Sequence, residues 1–525
     1  MTTWWKTSAI YSLFPATFSD SNNDGYGDLD GIVARLDHLA WLGIDAVWLG
    51  PIYPSPMLDA GYDIQDFCGI NGKFGDLAAF DRLVAELHRR GMRLILDFVP
   101  NHTSDRHPWF LESRSSRDNP KRDWYIWRDA KPDGSPPTNW IDHRKECAWS
   151  WDEGTAQYYY HLFLPEQPDL NLRNPDVVAA IEEVLAFWME RGVDGFRLDA
   201  AMNLVEDELF RDEPMDDDIA NGPPGWMDHL FTSDRPETHR VIAGFRRTID
   251  GYPERLFVGE VIAPLVRMME YYGRREPGFH MPFNNQIMKT EPWAARKIEA
   301  AIDQYMILLP DGAWPNWVLG SHDVSRAATR LGPEQARVAA MLQLTLPGTA
   351  FIYYGEEIGL GDAEVPPDRI RDPYEAYGQG RDPYRAPMPW ASDAHGGFSG
   401  VEPWLPLAAD YPTRNVAALR ADPGSILHLY RALLALRRDK PALQTETYRP
   451  LRAEGDLLMF MRPHEQESLA VVLNLGSAQQ EALLPGRGRI ILSTKLDRAE
   501  AAEGRLVLRP DEGVVVALSG KSPAG

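Results

Sequence analysis

The chain is poor in cysteine: Cys68 and Cys147 are the only two in 525 residues. Two thiols make at most one disulfide, which excludes a disulfide framework and a cysteine-built metal centre. Positive charge is also scarce, with 54 Lys and Arg against 77 Asp and Glu and a net charge of −23. Such a surface repels nucleic-acid phosphate and anionic lipid, so neither nucleic acid nor a membrane is an expected partner. A neutral small molecule needs no steering and suits it. No stretch reaches the roughly 18 apolar residues of a membrane span. The opening MTTWWKTSAI has no basic segment leading into an apolar run, as a secretory leader would. The expectation is a cytoplasmic protein, monomer or homodimer, of two or three packed units.

Short apolar runs alternate with amphipathic stretches through most of the chain. Strand-like runs fall near 10–14, 46–50, 93–100, 195–200, 256–261, 317–320 and 350–354. Helical patterns fall at 31–42, 77–90, 177–191, 239–249, 295–308, 333–346 and 425–438. Alternation of this kind predicts an α/β fold with a parallel sheet wrapped by helices. A doubly wound open sheet is the alternative, but nearly eight units favour closure into a (β/α)8 TIM barrel. The polar, aromatic-rich stretch 104–174 is too long for an ordinary connection and predicts an inserted domain after the third strand. After Pro441 short apolar runs are split by turns, which predicts a C-terminal antiparallel β-sandwich. The expected division is a barrel over 1–103 and 175–440, an insertion over 104–174 and a β domain over 441–525.

Three strand-like runs end in acids: Asp199 after GFRL, Glu260 after FVG and Asp323 after GSH. A fourth carries Asp97 and ends in Asn101-His102. One acid after a strand is commonly a helix cap. Several strands carrying polar groups at one end of a barrel, where barrel chemistry sits, point to a catalytic cluster. Arg197, two residues before Asp199, projects to the same side of its strand and should hold that carboxylate ionised. The 17 Trp and 20 Tyr supply aromatic faces of the kind that pack on sugar C–H surfaces.

DFVPNH (97–102), GFRLDA (195–200), GEV (259–261) and GSHD (320–323) resemble the four short signature regions of glycoside hydrolase family 13, the α-amylase superfamily. QPDLN (167–171) is similar to the marker of its oligo-1,6-glucosidase and α-glucosidase branch. The similarity runs from WWKTSAIYSLFP through GRDPYRAPMPW into the C-terminal domain. The resemblance implies that Asp199 is the nucleophile, Glu260 the general acid/base and Asp323 the third carboxylate. It makes His102 and His322 hydrogen-bonding partners of sugar hydroxyls, and Tyr62 the aromatic floor of the pocket. Asp59 would bind the non-reducing end of glucose with Arg385 as its ion-pair partner, closing the pocket for exo attack. Glu260 should then have a raised pKa, because it must start protonated.

Asp20-Ser-Asn22-Asn-Asp24-Gly-Tyr26-Gly-Asp28 places oxygen donors at alternate positions, as a hard cation requires. The resemblance assigns a structural Ca²⁺ there, held by Asp20, Asn22, Asp24, Asp28 and the Tyr26 carbonyl; Mg²⁺ suits the same donors. Two positions depart from the family pattern. Ser321 stands where Asn is usual before the His-Asp pair, and Ala200 follows the nucleophile where Val accompanies α-1,6 preference. The implied activity is a retaining exo-α-glucosidase acting on maltose, short malto-oligosaccharides or sucrose. Transglucosylation to a sugar acceptor, isomerisation, or an α-1,6-specific oligo-glucosidase are the alternatives. Related transporter-subunit ectodomains lose the catalytic acids and carry a membrane span, and this chain does neither.

Overall fold

The structure is a computed structural model and describes residues 3–214, 229–274 and 276–519. Residues 215–217, in the connection after Asp199, and positions 520–525 of the expected C-terminal β domain lie outside the described residues. Eight strands form the centre: β1 (Ala9–Leu13), β2 (Ala46–Leu49), β3 (Arg93–Phe98), β4 (Gly195–Leu198), β5 (Leu256–Gly259), β6 (Met281–Pro282), β7 (Asn316–Val318) and β8 (Thr349–Tyr353). They run β7-β8-β1-β2-β3-β4-β5-β6, each parallel to its neighbour. The remaining seam, between β6 and β7, is closed by side-chain amides. Asn316 Nδ2 donates to the Pro282 carbonyl at 2.7 Å, and Asn316 Oδ1 accepts from Asn284 N at 2.9 Å. Asn284 Nδ2 returns a bond to the Asn316 carbonyl at 2.9 Å. The barrel of eight parallel strands is as expected, although β6 is a two-residue strand with no apolar run to announce it.

Strand parity sorts the core into two shells. Ile10, Trp48, Ile95, Leu256, Val258, Val318 and Phe351 fill the barrel interior. Their chain neighbours, among them Tyr11, Val47, Leu94, Phe196, Phe257 and Ile352, face the helices. The same parity aims Asp97, Arg197, Asp199 and Glu260 inward at the carboxyl ends of β3, β4 and β5.

The helices are α1 (Leu29–Leu42), α2 (Leu77–Arg89), α3 (Pro175–Glu190), α4 (Pro236–Asp250), α5 (Ala295–Leu308), α6 (Pro333–Thr345) and α7 (Ile426–Asp439). Asp28, Asp76, Asn174 and Ser425 cap α1, α2, α3 and α7 by accepting from backbone N–H groups that lack a helical partner.

Within 104–174, strands Trp127–Arg128, Gln157–Tyr160 and Trp149–Asp152 form an antiparallel sheet over a small core of Ile126, Trp140, Trp149, Tyr160 and Leu162. A bridge between His102 and Asp169 stitches this segment to the chain after β3, and one between Tyr125 and Leu170 joins two parts of the segment itself. Beyond Pro441 a six-stranded and a two-stranded antiparallel sheet enclose Leu457, Val472, Ala482, Leu506 and Val514. The opposite face, with Leu458, Phe460, Val471 and Val515, joins the main core together with Met341 and Leu342 of α6. Among the described residues no helix is long and apolar enough to cross a membrane. Cys68 and Cys147 are both free thiols.

Candidate active site

A cavity of about 690 Å³ opens at the carboxyl ends of the strands. Asp59, Tyr62, His102, Asp199, Glu260, His322 and Asp323 all line it, so seven of the residues singled out in the sequence converge on one space. Arg197 lies beneath, 2% exposed. Its Nη1 contacts Asp97 Oδ1 at 2.9 Å and Asp199 Oδ1 at 2.5 Å, and its Nη2 contacts Glu260 Oε1 at 2.9 Å. The second oxygen of Glu260 accepts from Ala200 N at 3.1 Å. Ala200 has φ +48, a left-handed conformation at the turn that directly follows Asp199. Gly259, just before Glu260, leaves room for Phe279, since a Cβ there would lie 2.2 Å from that ring.

The expectation that Arg197 alone holds Asp199 ionised needs correction. One guanidinium faces three carboxylates and cannot neutralise them all. Burial, with the charges of Glu260 and Asp97, pushes the Asp199 carboxyl well up against the opposing pull of Arg197. Burial likewise pushes Asp97 up to about 6 despite Arg197 and the Tyr62 hydroxyl.

Tyr62 donates to Asp97 Oδ2 at 2.9 Å, and its hydroxyl lies 2.9 Å from His322 Nε2. The Tyr62 and His322 rings are stacked, with centroids 5.7 Å apart. His322 Nε2 is also 3.0 Å from Asp323 Oδ2. Burial lowers His322 to about 3 and His102 to about 4, so both imidazoles are neutral at neutral pH. His102 Nδ1 lies 2.8 Å from Asn101 Oδ1. Its Nε2 lies 3.2 Å from the Tyr62 carbonyl and 3.1 Å from Gln167 Nε2, and the same amide donates to Asp59 Oδ2 at 3.1 Å. Burial opposes the charge on Asp323, but His322, Arg385 and Arg381 outweigh it and hold the carboxyl below its ordinary range. Ser321 Oγ accepts from Asp323 N at 3.2 Å, so the shorter side chain still fixes this turn.

Arg385 is not the partner of Asp59. It is 1% exposed under the pocket, donating to the His322 carbonyl at 3.0 Å and to Asp323 Oδ1 at 3.1 Å. The partner is Arg381, whose Nη2 reaches Asp59 Oδ1 at 2.6 Å while Asp372 grips the same guanidinium at 2.7 and 2.9 Å. Arg381 caps and Arg385 ends the short turn Asp382–Arg385, where no periodicity tells them apart. Sequence reasoning also missed Asp63. This fully buried carboxylate accepts from Ser55 Oγ, Leu58 N and Asp59 N at 2.7, 3.0 and 3.2 Å, and so shapes the loop presenting Asp59 and Tyr62. Met57 and Ala60 in that loop have φ +64 and φ +51, left-handed conformations that the letters alone do not reveal.

The oxygen-rich loop after β1 stands apart from this cavity, and none of its residues line it. Asx bonds recur along it: Asn22 N to Asp20 Oδ1 at 3.0 Å, Asp24 N to Asn22 Oδ1 and Tyr26 N to Asp24 Oδ1, both at 2.9 Å. Its donors have the hard-oxygen chemistry Ca²⁺ prefers. Asp20, however, also accepts from Asn23 N, Gly25 N and Ser399 Oγ. Asp28 serves as the cap of α1, accepting from Gly31 N at 2.6 Å, and also binds Ser21. Among the described residues no three His, Cys, Asp or Glu side chains are gathered to hold a metal.

Residues 12–446 match the family model of the alpha amylase catalytic domain. A probable alpha-glucosidase of Rhizobium meliloti (strain 1021) is 40% identical over 503 residues, covering 92% of this chain and 91% of that protein. An oligo-1,6-glucosidase of Parageobacillus thermoglucosidasius is 35% identical, covering 98% of each. Among solved structures, an alpha-glucosyl transfer enzyme, XgtA, superposes with a TM-score of 0.92 at 36% identity, over 98% of this chain and 100% of that one. With its barrel, its strand-end carboxylates and relatives matched over nearly their full length, the chain belongs to the α-amylase family of glycoside hydrolases.

Proposed function

We propose that the chain is a retaining exo-α-glucosidase that releases glucose from the non-reducing end of short α-glucosides. The observation that carries this reading is Arg197 bridging Asp199 and Glu260 in a cavity whose glucose end is closed by the Asp59–Arg381 pair. A shared guanidinium keeps the two carboxylates close, as retention requires at about 5–5.5 Å. Asp199 attacks the anomeric carbon as Glu260 protonates the leaving oxygen. Glu260 then takes a proton from water, which attacks the glucosyl–Asp199 bond and restores both carboxyls. Asp323, held ionised by its arginines, binds sugar hydroxyls and steadies the positive charge of the transition state, while the neutral His102 and His322 hydrogen-bond to the same ring. p-Nitrophenyl α-glucoside should yield glucose that is first the α-anomer by ¹H NMR. Absence of glucose, or initial β-anomer, would sink the reading.

Ala200 leans the linkage towards α-1,4 and sucrose-type bonds, and the left-handed φ of +48 is costly for a β-branched Val. Transfer to a sugar acceptor in place of water is the second reading, favoured by the likeness to an alpha-glucosyl transfer enzyme. Product analysis at high maltose concentration separates the two. The free thiols Cys68 and Cys147 fit a reducing, cytoplasmic setting.

The pH profile follows from the carboxylate cluster. Asp199 must be ionised to attack, and its pKa is raised, so activity should fall as pH drops through a value above the ordinary carboxylate one of about 3.9. The acid limb of kcat/KM checks this; a limb at the ordinary value contradicts it.

The loop after β1 is our proposed Ca²⁺ site, with Asp20, Asn22, Asp24, Asp28 and the Tyr26 carbonyl as ligands and Mg²⁺ as a weaker substitute. Bound there, the ion would act on stability and take no part in the chemistry. Chelation by EDTA should lower the Tm, and added Ca²⁺ should restore it. A Tm indifferent to both removes the proposal.

A further inference from the structure

The glucose end of the pocket depends on side chains carried by irregular connections. Asp59 stands on the loop after β2, Asp323 on the loop after β7 and Arg381 on the loop after β8, and all three line the cavity. Arg381 has the most rotamer freedom of the three. Three carboxylates meet its guanidinium. Asp59 Oδ1 accepts from Nη2 at 2.6 Å, and Asp323 Oδ1 lies 3.5 Å from Nη1. Asp372 takes the Nε edge, its Oδ2 accepting from Nε at 2.7 Å and its Oδ1 from Nη2 at 2.9 Å. A two-point grip of this kind fixes the plane of a guanidinium. Both Nη2 protons are then committed, one to Asp372 and one to Asp59, and only the Nη1 edge is left towards Asp323.

Asp372 is itself firmly held. Its side chain is fully buried and does not line the cavity. Oδ2 also accepts from Arg381 N at 2.7 Å, and Oδ1 from Tyr374 N at 3.2 Å. Its own backbone N–H donates to Asp382 Oδ2 at 2.9 Å, an oxygen that also accepts from Arg371 N at 2.6 Å. The guanidinium of Arg381 lies over the Tyr374 ring, 4.7 Å from its centroid. Burial opposes the charge on Asp372, but Arg381 outweighs it and holds the carboxyl below its ordinary range. The ion pair is therefore intact at neutral pH. Without it, the guanidinium would be free to turn about its stem and close on Asp323.

We propose that Asp372 is the positioning residue of the glucose end, holding Arg381 on Asp59 and off Asp323, and that selection for a free 4-hydroxyl on the terminal glucose depends on it. Asp59 is thereby fixed for that hydroxyl, while Asp323 keeps its charge for the reacting ring. Asp372 touches no substrate and acts through Arg381. The proposal rests on the α-glucosidase reading and names a residue on which its exo preference depends, since a chain continued through O4 has no such hydroxyl.

The test compares p-nitrophenyl α-glucoside with its 4-deoxy analogue, which has the same leaving group. The wild-type enzyme should prefer the parent by about 50-fold in kcat/KM, the effect of one hydrogen bond to a charged group. Asp372→Asn should cut that preference to about fivefold, chiefly by raising KM for the parent, with the circular dichroism spectrum unchanged. A merely structural role would depress both substrates alike and leave the ratio where it was. In an Arg381→Met background the preference should already be low, and adding Asp372→Asn should change it no further. Arg381→Lys keeps the charge but cannot take the contacts with Asp372 and Asp59 together, and it carries the same expectation if the Asn variant does not fold. A wild-type ratio near one, or a ratio unchanged in Asp372→Asn or in Arg381→Lys, overturns the proposal and leaves the glucosidase reading standing. A wild-type enzyme that cleaves neither compound overturns both.

Discussion

Asp199→Asn is expected to lower kcat on p-nitrophenyl α-glucoside by about 10⁴-fold or more, an effect of the size seen when a nucleophile is removed. The amide has nearly the same volume but carries no charge to attack the anomeric carbon. The fold should survive, because Arg197 keeps its contacts with Asp97 at 2.9 Å and Glu260 at 2.9 Å. Circular dichroism checks that point, and rate loss with an intact spectrum assigns the effect to chemistry. Asp199→Gly gives a sharper readout. The space left by the carboxylate admits azide, which would attack from the nucleophile's face and leave β-glucosyl azide as the product. Near-wild-type turnover by the Asn variant would remove Asp199 from the mechanism.

Glu260→Gln should produce the second large effect, and one graded by the leaving group. Maltose must be protonated to depart, so its hydrolysis should fall about 10²–10⁴-fold, or roughly 3–5 kcal/mol in the barrier. p-Nitrophenolate leaves without a proton, so the first step on that substrate should be nearly spared. Return of water, which needs the same carboxylate as base, should then be slow. The covalent intermediate would accumulate, giving a burst of p-nitrophenol and a lowered KM. The single carbonyl oxygen of the glutamine can still accept from Arg197, at the cost of the bond from Ala200 N that Glu260 accepts at 3.1 Å, so the side chain stays in place while proton transfer is lost. Equal losses on maltose and the p-nitrophenyl substrate would argue for a positioning role only.

These two variants also define the role of the buried charge beneath them. Arg197 gives the nucleophile its shortest contact, 2.5 Å, and yet Asp199 is pushed up in pKa because burial and two neighbouring carboxylates act against one cation. Asp199 and Asp97 therefore take up a proton more readily than isolated carboxylates do. A retaining glycosidase begins its cycle with one carboxyl protonated and one ionised.

The sequence by itself determined the barrel and its catalytic end. Runs such as AVWL at 46–49 and LILDF at 94–98 are buried strands, and helices Leu29–Leu42 and Ala295–Leu308 carry their apolar periodicity in the letters. Strand parity, a strictly local property, was enough to aim Asp97, Arg197, Asp199 and Glu260 at the same space. Only the tertiary structure decided what each of these groups meets there. β6 is two residues held by its neighbours and by the Asn316 amide, not by an apolar run of its own. Arg381 and Arg385 sit four residues apart in an irregular loop, so nothing periodic could say that Arg381 meets Asp59 and Arg385 meets Asp323. Asp28 has the letters of a cation ligand, and the start of α1 gives it a second part as helix cap. Local pattern fixes which way a side chain points within its own element; its partner arrives from residues hundreds of positions away, and only the closed barrel brings the two together.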